Sequence, residues 1–128
     1  MSRALVPALV LALVPAVLAI ALSGCAGGVA GVYRYAVHLQ WDRYPQPIKA
    51  VAVMEDRGVT GPMTLTAASP ALDCKGTYAQ SGTQSRGTWT FACADGVRAS
   101  GSYELGVSSG NGVGTDHEGK RILMAFSR

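Results

Sequence analysis

Residues 87–96 read Gly-Thr-Trp-Thr-Phe-Ala-Cys-Ala-Asp-Gly and carry a strong signal for a β-hairpin. Apolar and polar side chains alternate along its first seven residues, which is the pattern of a β-strand with one buried face. Asp95-Gly96 is a strong signal for a two-residue hairpin turn, and a similar alternation resumes in the residues that follow it. The stretch therefore predicts an antiparallel hairpin in which Trp89, Phe91 and Cys93 face inward.

Further strand-like segments lie on both sides of the hairpin in the sequence. Six further segments have the composition of short strands, and turns rich in glycine or proline separate them. These segments are residues 33–42, 48–54, 59–67, 72–78, 112–115 and 120–127. The sequence therefore predicts an all-β domain over residues 33–128, a small antiparallel β-barrel or sandwich of about six to eight strands.

Aromatic side chains are concentrated in and just after the first of these segments. Tyr33, Tyr35 and Trp41 share one side of the predicted strand, and Tyr44 follows it. Two interpretations stay open, because the aromatic side either packs into the core or forms an exposed face that binds a ligand. Tyr33, Tyr35, Trp41 and Tyr44 are therefore the candidate aromatic binding face.

The amino-terminal region has the parts of a secretory signal. Arg3 supplies a positive start, residues 4–22 are apolar and uncharged, and small residues lead to Cys25. Leu22-Ser23-Gly24-Cys25 resembles the lipobox of bacterial lipoproteins. The resemblance implies cleavage between Gly24 and Cys25, a diacylglyceryl thioether on the Cys25 thiol, and acylation of the new amino group.

The resemblance also implies an order of parts and a location. Residues 1–24 are expected to be a helical signal peptide, residues 25–32 a lipidated flexible tether, and the β domain follows. Ala26 rather than Asp after the cysteine favours the outer membrane, facing the periplasm. A retained transmembrane span and plain secretion are the alternatives, although Pro7 and Pro15 weaken a continuous helix.

The remaining two cysteines form an even pair. Cys74 and Cys93 lie in an exported chain, where disulfides persist, and closing the loop between them would stabilise the domain by about 3 kcal/mol. The Cα atoms of such a bridge usually lie about 5.5 Å apart. Two free buried thiols or a metal site are the alternatives, but no Cys-x-x-Cys or histidine spacing supports a metal.

Charge and side-chain chemistry exclude several classes of function. Without Arg3 the chain has 10 basic and 8 acidic side chains, and a net charge of +2 lacks the basic stripe that nucleic acid requires. Its two histidines belong to no nucleophile motif. Asp116-His117-Glu118 offers three metal ligands in a row, but neighbours on an extended chain point to opposite faces. We therefore expect no catalytic residue, no metal and no cofactor.

A second resemblance concerns the central hairpin. Phe91-Ala-Cys93-Ala-Asp95-Gly96, followed by Tyr103, resembles the cysteine hairpin of the membrane-bound lysozyme-inhibitor lipoproteins. Those proteins are small β-barrels with a disulfide. The resemblance covers residues 91–103 and implies a barrel fold and binding to lysozyme.

Together these features predict a lipid-anchored cell-envelope protein with a non-enzymatic binding or structural role. We expect a monomer that is attached to the membrane through Cys25 and whose partner is another envelope protein or the cell wall. The alternatives are a carrier that holds a small apolar ligand inside the barrel, or a lysozyme-inhibitor-like protein. A cavity lined by Trp and Tyr would favour the carrier, whereas a filled core with an exposed aromatic patch would favour the interaction protein.

The lipid anchor leads to a first prediction. Cys25→Ser is expected to abolish lipidation, because a hydroxyl does not replace the thiol as the acceptor of the diacylglyceryl group. Metabolic labelling with a fatty-acid analogue measures the outcome. Label retained on the serine variant would contradict the lipoprotein interpretation.

Overall fold

The computed structural model describes residues 31–81 and 85–128, and these residues form eight β-strands. The strands are β1 (Val32–Trp41), β2 (Ile48–Glu55), β3 (Thr60–Ala68), β4 (Ala71–Gln80), β5 (Arg86–Cys93), β6 (Arg98–Leu105), β7 (Ser109–Asp116) and β8 (Arg121–Ser127). The described ranges contain no helix that could cross a membrane. The predicted signal peptide, Cys25 and the tether up to residue 30 lie outside the described residues.

The eight strands form a closed barrel of up-and-down topology. Each strand pairs antiparallel with the next, and β1 pairs antiparallel with β8 to close the sheet. In the closing pair Val37 lies opposite Phe126 and Trp41 lies opposite Ile122. The all-β prediction is confirmed, and of the two predicted architectures the chain adopts the barrel.

The barrel has two different ends because its strands alternate in direction. The tether end, defined by residues 31–33, 55–59, 105–108 and 128, holds the start of β1 and the end of β8. The opposite end, called the Asp116 end, holds the turns at residues 42–47, 69–70, 94–97 and 117–120. Any chain that precedes Gly31 therefore joins the barrel at the tether end.

Side chains of alternating residues fill the interior. On β1, Tyr35, Val37, Leu39 and Trp41 are buried, so most of the predicted aromatic side belongs to the core. The same alternation runs along β2 and β5. An eight-stranded barrel is just wide enough for its side chains to fill.

Large rings in this interior lie opposite glycines on neighbouring strands. The pairs are Tyr78 with Gly61, Phe91 with Gly76, Trp89 with Gly101, Tyr103 with both Gly87 and Gly112, and Phe126 with Gly110. A Cβ atom on Gly87 would lie 2.5 Å from the Tyr103 hydroxyl, and one on Gly114 would lie 2.5 Å from the Trp89 ring. The rings therefore occupy volume that a side chain at the opposing position would take.

Strand β7 is longer than the alternation predicts. It begins at Ser109 rather than at residue 112, and its inward positions include Gly110, Gly112 and Gly114. Glycines give no side-chain pattern from which a strand start could be located. Pairing with β6 and β8 on both sides determines where β7 begins.

The predicted disulfide is present. Cys74 on β4 and Cys93 on β5 are bonded and directly opposed. Their Cα atoms lie 3.8 Å apart, so the expected spacing of about 5.5 Å was wrong. The backbone hydrogen bond beside the pair runs from Ala94 to Asp73, which makes the cysteines a non-hydrogen-bonded pair, where antiparallel strands come closest.

Two glycines on β7 give a matched test of the ring-and-glycine packing. Gly114→Ala is expected to destabilise the fold by about 1–3 kcal/mol, because the new methyl would overlap the Trp89 ring and the Ser100 carbonyl. At Gly112 the nearest ring atom would lie 3.4 Å away, so Gly112→Ala is the control with a smaller effect. Urea unfolding measures both. Equal stability of the two variants would contradict this account of the core.

Candidate functional site

An open cleft of about 420 Å³ lies at the tether end of the barrel. Its walls combine aromatic and apolar side chains with a few polar ones. They are Tyr33, Tyr35, Met54, Asp56, Tyr78, Gln80, Ser85, Leu105, Gly106, Val107 and Arg128. This size and this mixture of surfaces are typical of pockets for small ligands.

A larger groove of about 590 Å³ crosses the outer wall of β4 to β7. Much of its lining is formed by short threonine and serine side chains on the outer face of the sheet. Two of these hydroxyls, on Thr77 and Thr90, lie 3.3 Å apart and so satisfy each other. The cleft at the tether end is the better candidate site, because it is lined by rings and leads toward the barrel interior.

Arg128 is the basic group of the cleft, and Asp56 is the acidic group. The carbon of its guanidinium lies 4.8 Å from the centroid of the Tyr33 ring and 5.5 Å from that of Tyr35. It also donates a hydrogen bond of 3.4 Å to the Tyr35 hydroxyl, and its backbone nitrogen donates to the Ser108 carbonyl. The rings attract the cation, and no ion pair of the described residues neutralises its side chain.

Two phenols lie below this rim. The Tyr78 hydroxyl donates a hydrogen bond of 2.6 Å to the Glu55 carbonyl, and burial raises the pKa of Tyr78. Tyr103 lies deeper, is 4% exposed, and burial raises its pKa to about 12. Its hydroxyl has no hydrogen-bond partner among the described residues. Both phenols are therefore neutral near pH 7.

The space around Tyr103 is almost completely filled. A void of about 10 Å³ remains among the side chains of Met54, Met63, Tyr78, Trp89, Tyr103, Leu105 and Phe126. This volume is close to the minimum that holds one water molecule. The structure therefore has a cleft at the rim of the barrel and a filled core beneath it.

The Asp116 end is closed by a polar cluster. The buried Asp116 carboxylate accepts hydrogen bonds from Trp41 Nε1 at 3.0 Å and Arg43 Nε at 3.2 Å, and from the backbone nitrogens of Glu118 and Lys120. Arg43 Nη2 also lies 3.1 Å from Glu118 Oε1. Burial raises the pKa of Asp116, but the hydrogen bonds outweigh it and the net pKa is lowered. The cluster ties β7 to β1, so its role is structural.

The run Asp116-His117-Glu118 does not form a metal centre. Asp116 points into the barrel, whereas His117 and Glu118 are exposed. The His117 ring accepts a hydrogen bond of 3.1 Å from the Arg98 backbone nitrogen. Across the described ranges no three side chains of the ligand types come together.

The four residues of the candidate aromatic face lie at two sites. Tyr33 and Tyr35 line the cleft at the tether end. Trp41 and Tyr44 lie at the Asp116 end, where their rings pack edge to face with centroids 5.4 Å apart. The structure therefore brings together only the first two of the four.

Sequence reasoning missed Arg128, Met54 and Leu105 as cleft residues. Arg128 has a signal that could have located it, because it continues the inward alternation of Met124 and Phe126 beyond the end of β8. Met54 and Leu105 carry no such signal. An apolar residue at the end of a strand looks the same whether it lines a cleft or completes a core.

The geometry defines a class of protein, the small up-and-down β-barrel with one end plugged and a cleft at the other. A redesigned β-barrel, mFAP1, bound to DFHBI, superposes with a TM-score of 0.66 at 13% identity, over 78% of this chain and 94% of that one. Another redesigned barrel, b11L5F_LGL, gives 0.65 at 13% identity, over 78% and 90%. A fluorescence-activating β-barrel of de novo design gives 0.60 at 11% identity, over 74% and 90%. These likenesses show the fold alone.

No protein-family model and no curated protein matches the chain. The resemblance of residues 91–103 to lysozyme inhibitors stays a prediction. In the barrel these residues form the β5–β6 hairpin, whose turn lies at the Asp116 end.

The Asp116 cluster predicts a specific pH dependence. Asp116→Asn is expected to lower the free energy of unfolding at pH 7 by about 2 kcal/mol, because hydrogen bonds to a charged acceptor are lost. Since the pKa of Asp116 is lowered by folding, its contribution is present above the ordinary value of 3.8 and is lost as the pH falls through the folded pKa. The difference between wild type and variant should therefore shrink below about pH 4.

Urea unfolding at pH 7 and at pH 2.5 measures this difference. Asp42→Asn is the control, because Asp42 forms an exposed ion pair with Arg121 at 3.7 Å and such pairs contribute about 0–1 kcal/mol. An Asp116→Asn variant as stable as wild type at pH 7 would show that the cluster does not stabilise the barrel.

Proposed function

We propose that this chain is a lipid-anchored binding protein of the bacterial cell envelope, and that the cleft at the tether end is its binding site. The proposed role is non-enzymatic. The observation that carries the proposal is the guanidinium of Arg128, which lies over two tyrosine rings at the opening of an apolar cleft and has no ion-pair partner among the described side chains.

The filled interior favours binding at the rim over carriage inside the barrel. A void of about 10 Å³ has no room for an apolar ligand, whereas the cleft of about 420 Å³ lies within the range of small-molecule sites. A carrier would need the side chains around Met54 and Met63 to move apart. The site is therefore best described as a shallow cleft above a packed core.

The chemistry of the cleft favours an amphiphilic ligand with an acidic group. The rings of Tyr33 and Tyr35 and the side chains of Met54 and Leu105 offer an apolar surface. Arg128 offers donors for a carboxylate, sulfonate or phosphate, which guanidinium groups recognise with two parallel hydrogen bonds. Asp56 in the same lining disfavours a ligand with more than one negative charge.

Two further observations support the proposal. The barrel mFAP1, similar in fold, is described bound to the small molecule DFHBI, so this architecture is compatible with a ligand site. The lipobox-like sequence before Cys25 supports the anchor and the envelope location.

The binding site is tested with anilinonaphthalene sulfonate, an apolar fluorophore that carries one sulfonate. Its fluorescence is expected to rise on binding to the protein, and decanoate should displace it. Arg128→Gln is expected to weaken binding about tenfold, because a charge-assisted hydrogen bond to the sulfonate is lost.

The matched control is Arg121→Gln, which removes an exposed arginine from the start of β8, at the Asp116 end. It should leave the affinity unchanged, and thermal unfolding should show that both variants remain folded. Equal affinity of Arg128→Gln and wild type would place the binding site elsewhere. No fluorescence increase with the folded wild-type protein would overturn the proposal of an amphiphile site.

A further inference from the structure

Exposed large apolar side chains are concentrated at the tether end. Among the described residues Val32, Tyr33, Val59 and Val107 belong to this group, with Val107 97% exposed and Val59 67% exposed. The fifth, Val113, is 49% exposed on the outer wall of β7. Single exposed apolar residues are common, but four of these five lie around one end of the barrel, which makes that end the candidate interaction surface.

The apolar residues surround the opening of the cleft. Val59 lies in the β2–β3 turn and Val107 in the β6–β7 turn, on opposite sides of the barrel. Tyr33 lies between these turns, near the start of β1. A flat surface that touches the tips of these turns would therefore cover the cleft.

Charged side chains of this end are largely paired with each other. Arg57 lies 2.8 Å from Glu55, and Arg86 lies 3.2 Å from Glu104. Asp56 and Arg128, which form no ion pair among the described residues, belong to the lining of the cleft. A partner at the tips of the turns would therefore meet mainly apolar atoms and the tyrosine ring. Tyrosine is enriched where proteins meet the interface of a lipid bilayer.

The chain before Gly31 limits how the barrel can stand on a membrane. Six peptide steps separate the Cα atoms of Cys25 and Gly31, and they span at most about 22 Å. Strand β1 has ten residues and, at the usual tilt, carries the chain about 23 Å along the barrel axis. A lipid on Cys25 therefore reaches a bilayer at the tether end with length to spare, whereas a bilayer at the Asp116 end would require the chain almost fully extended along the barrel wall.

We propose that the tether end rests on the membrane surface, with Val59, Val107 and Tyr33 in the interfacial layer and the Asp116 end directed away from it. This orientation rests on the proposed lipid anchor at Cys25. It places the cleft against the bilayer, so the ligand class is an amphiphile that exchanges with the membrane. The contact is mainly apolar, so high salt should leave most of it in place.

The orientation is tested with the mature lipidated chain in vesicles of phosphatidylethanolamine and phosphatidylglycerol. A polarity-sensitive thiol fluorophore is attached to Val107→Cys or, as the control, to Gln46→Cys at the exposed β1–β2 loop of the opposite end. Lipids that are spin-labelled in the upper acyl chain quench a fluorophore within reach. Strong quenching and a blue shift are expected at position 107 and neither at position 46, in low and in high salt.

A second pair of variants separates this orientation from a barrel that lies on its side. Val59→Asp is expected to reduce quenching at position 107, because a charge at the rim opposes insertion. Val113→Asp places the same charge on the outer wall and should leave the quenching unchanged. A larger effect of Val113→Asp would overturn the upright orientation.

Other outcomes overturn the inference in distinguishable ways. Equal exposure of both fluorophores to water would show a barrel that hangs free from its tether, and quenching at position 46 alone would show the reverse orientation. The mass of the purified chain reports the acyl groups, and anilinonaphthalene sulfonate binding reports the cleft. A failed orientation with both of these intact therefore leaves the proposed function standing.

Discussion

Large rings paired with glycines determine how the interior of the barrel is filled. An eight-stranded barrel has a narrow interior of fixed volume. Each tryptophan, tyrosine or phenylalanine ring occupies more of this volume than the average inward side chain. Glycine on the neighbouring strand has no side chain and so leaves space for the ring, as Gly101 and Gly114 do for Trp89. The inward positions of β7 are three glycines and Asp116. The rings of Trp89, Tyr103 and Phe126, from β5, β6 and β8, fill the space beside these glycines. The same arrangement leaves no room for a ligand in the core.

Above and below the filled core, the two ends of the barrel differ in polarity. At the Asp116 end a carboxylate accepts four hydrogen bonds, so the polar groups satisfy one another. At the tether end Tyr33, Met54 and Leu105 line the open cleft. The ligand proposal and the membrane orientation both follow from this open apolar surface.

Much of the fold could be predicted because inward and outward residues alternate along most strands. The β5–β6 hairpin and the pairing of Cys74 with Cys93 agree with that parity. The predicted two-residue turn was wrong, because Cys93 lies opposite Val97 and the loop between them has three residues. The start of β7 could not be predicted in this way, because glycines have no side-chain alternation. The alternation also does not distinguish a closed barrel from a sandwich, because closure depends on the pairing of β1 with β8. Of the cleft residues, the sequence indicated Tyr33 and Tyr35 but not Arg128. Arg128 contacts Tyr35 although more than ninety residues separate them in the chain.

The pairing of β1 with β8 has a consequence for how the chain reaches its fold. A chain that emerges amino end first, from a ribosome or an export channel, exposes β1 long before its second partner exists. Until residue 127 has emerged, the sheet has two open edges, and open edges pair with other chains. Long-range pairing of this kind also slows folding. Delayed closure therefore leaves both edges of the sheet open until the last strand is complete.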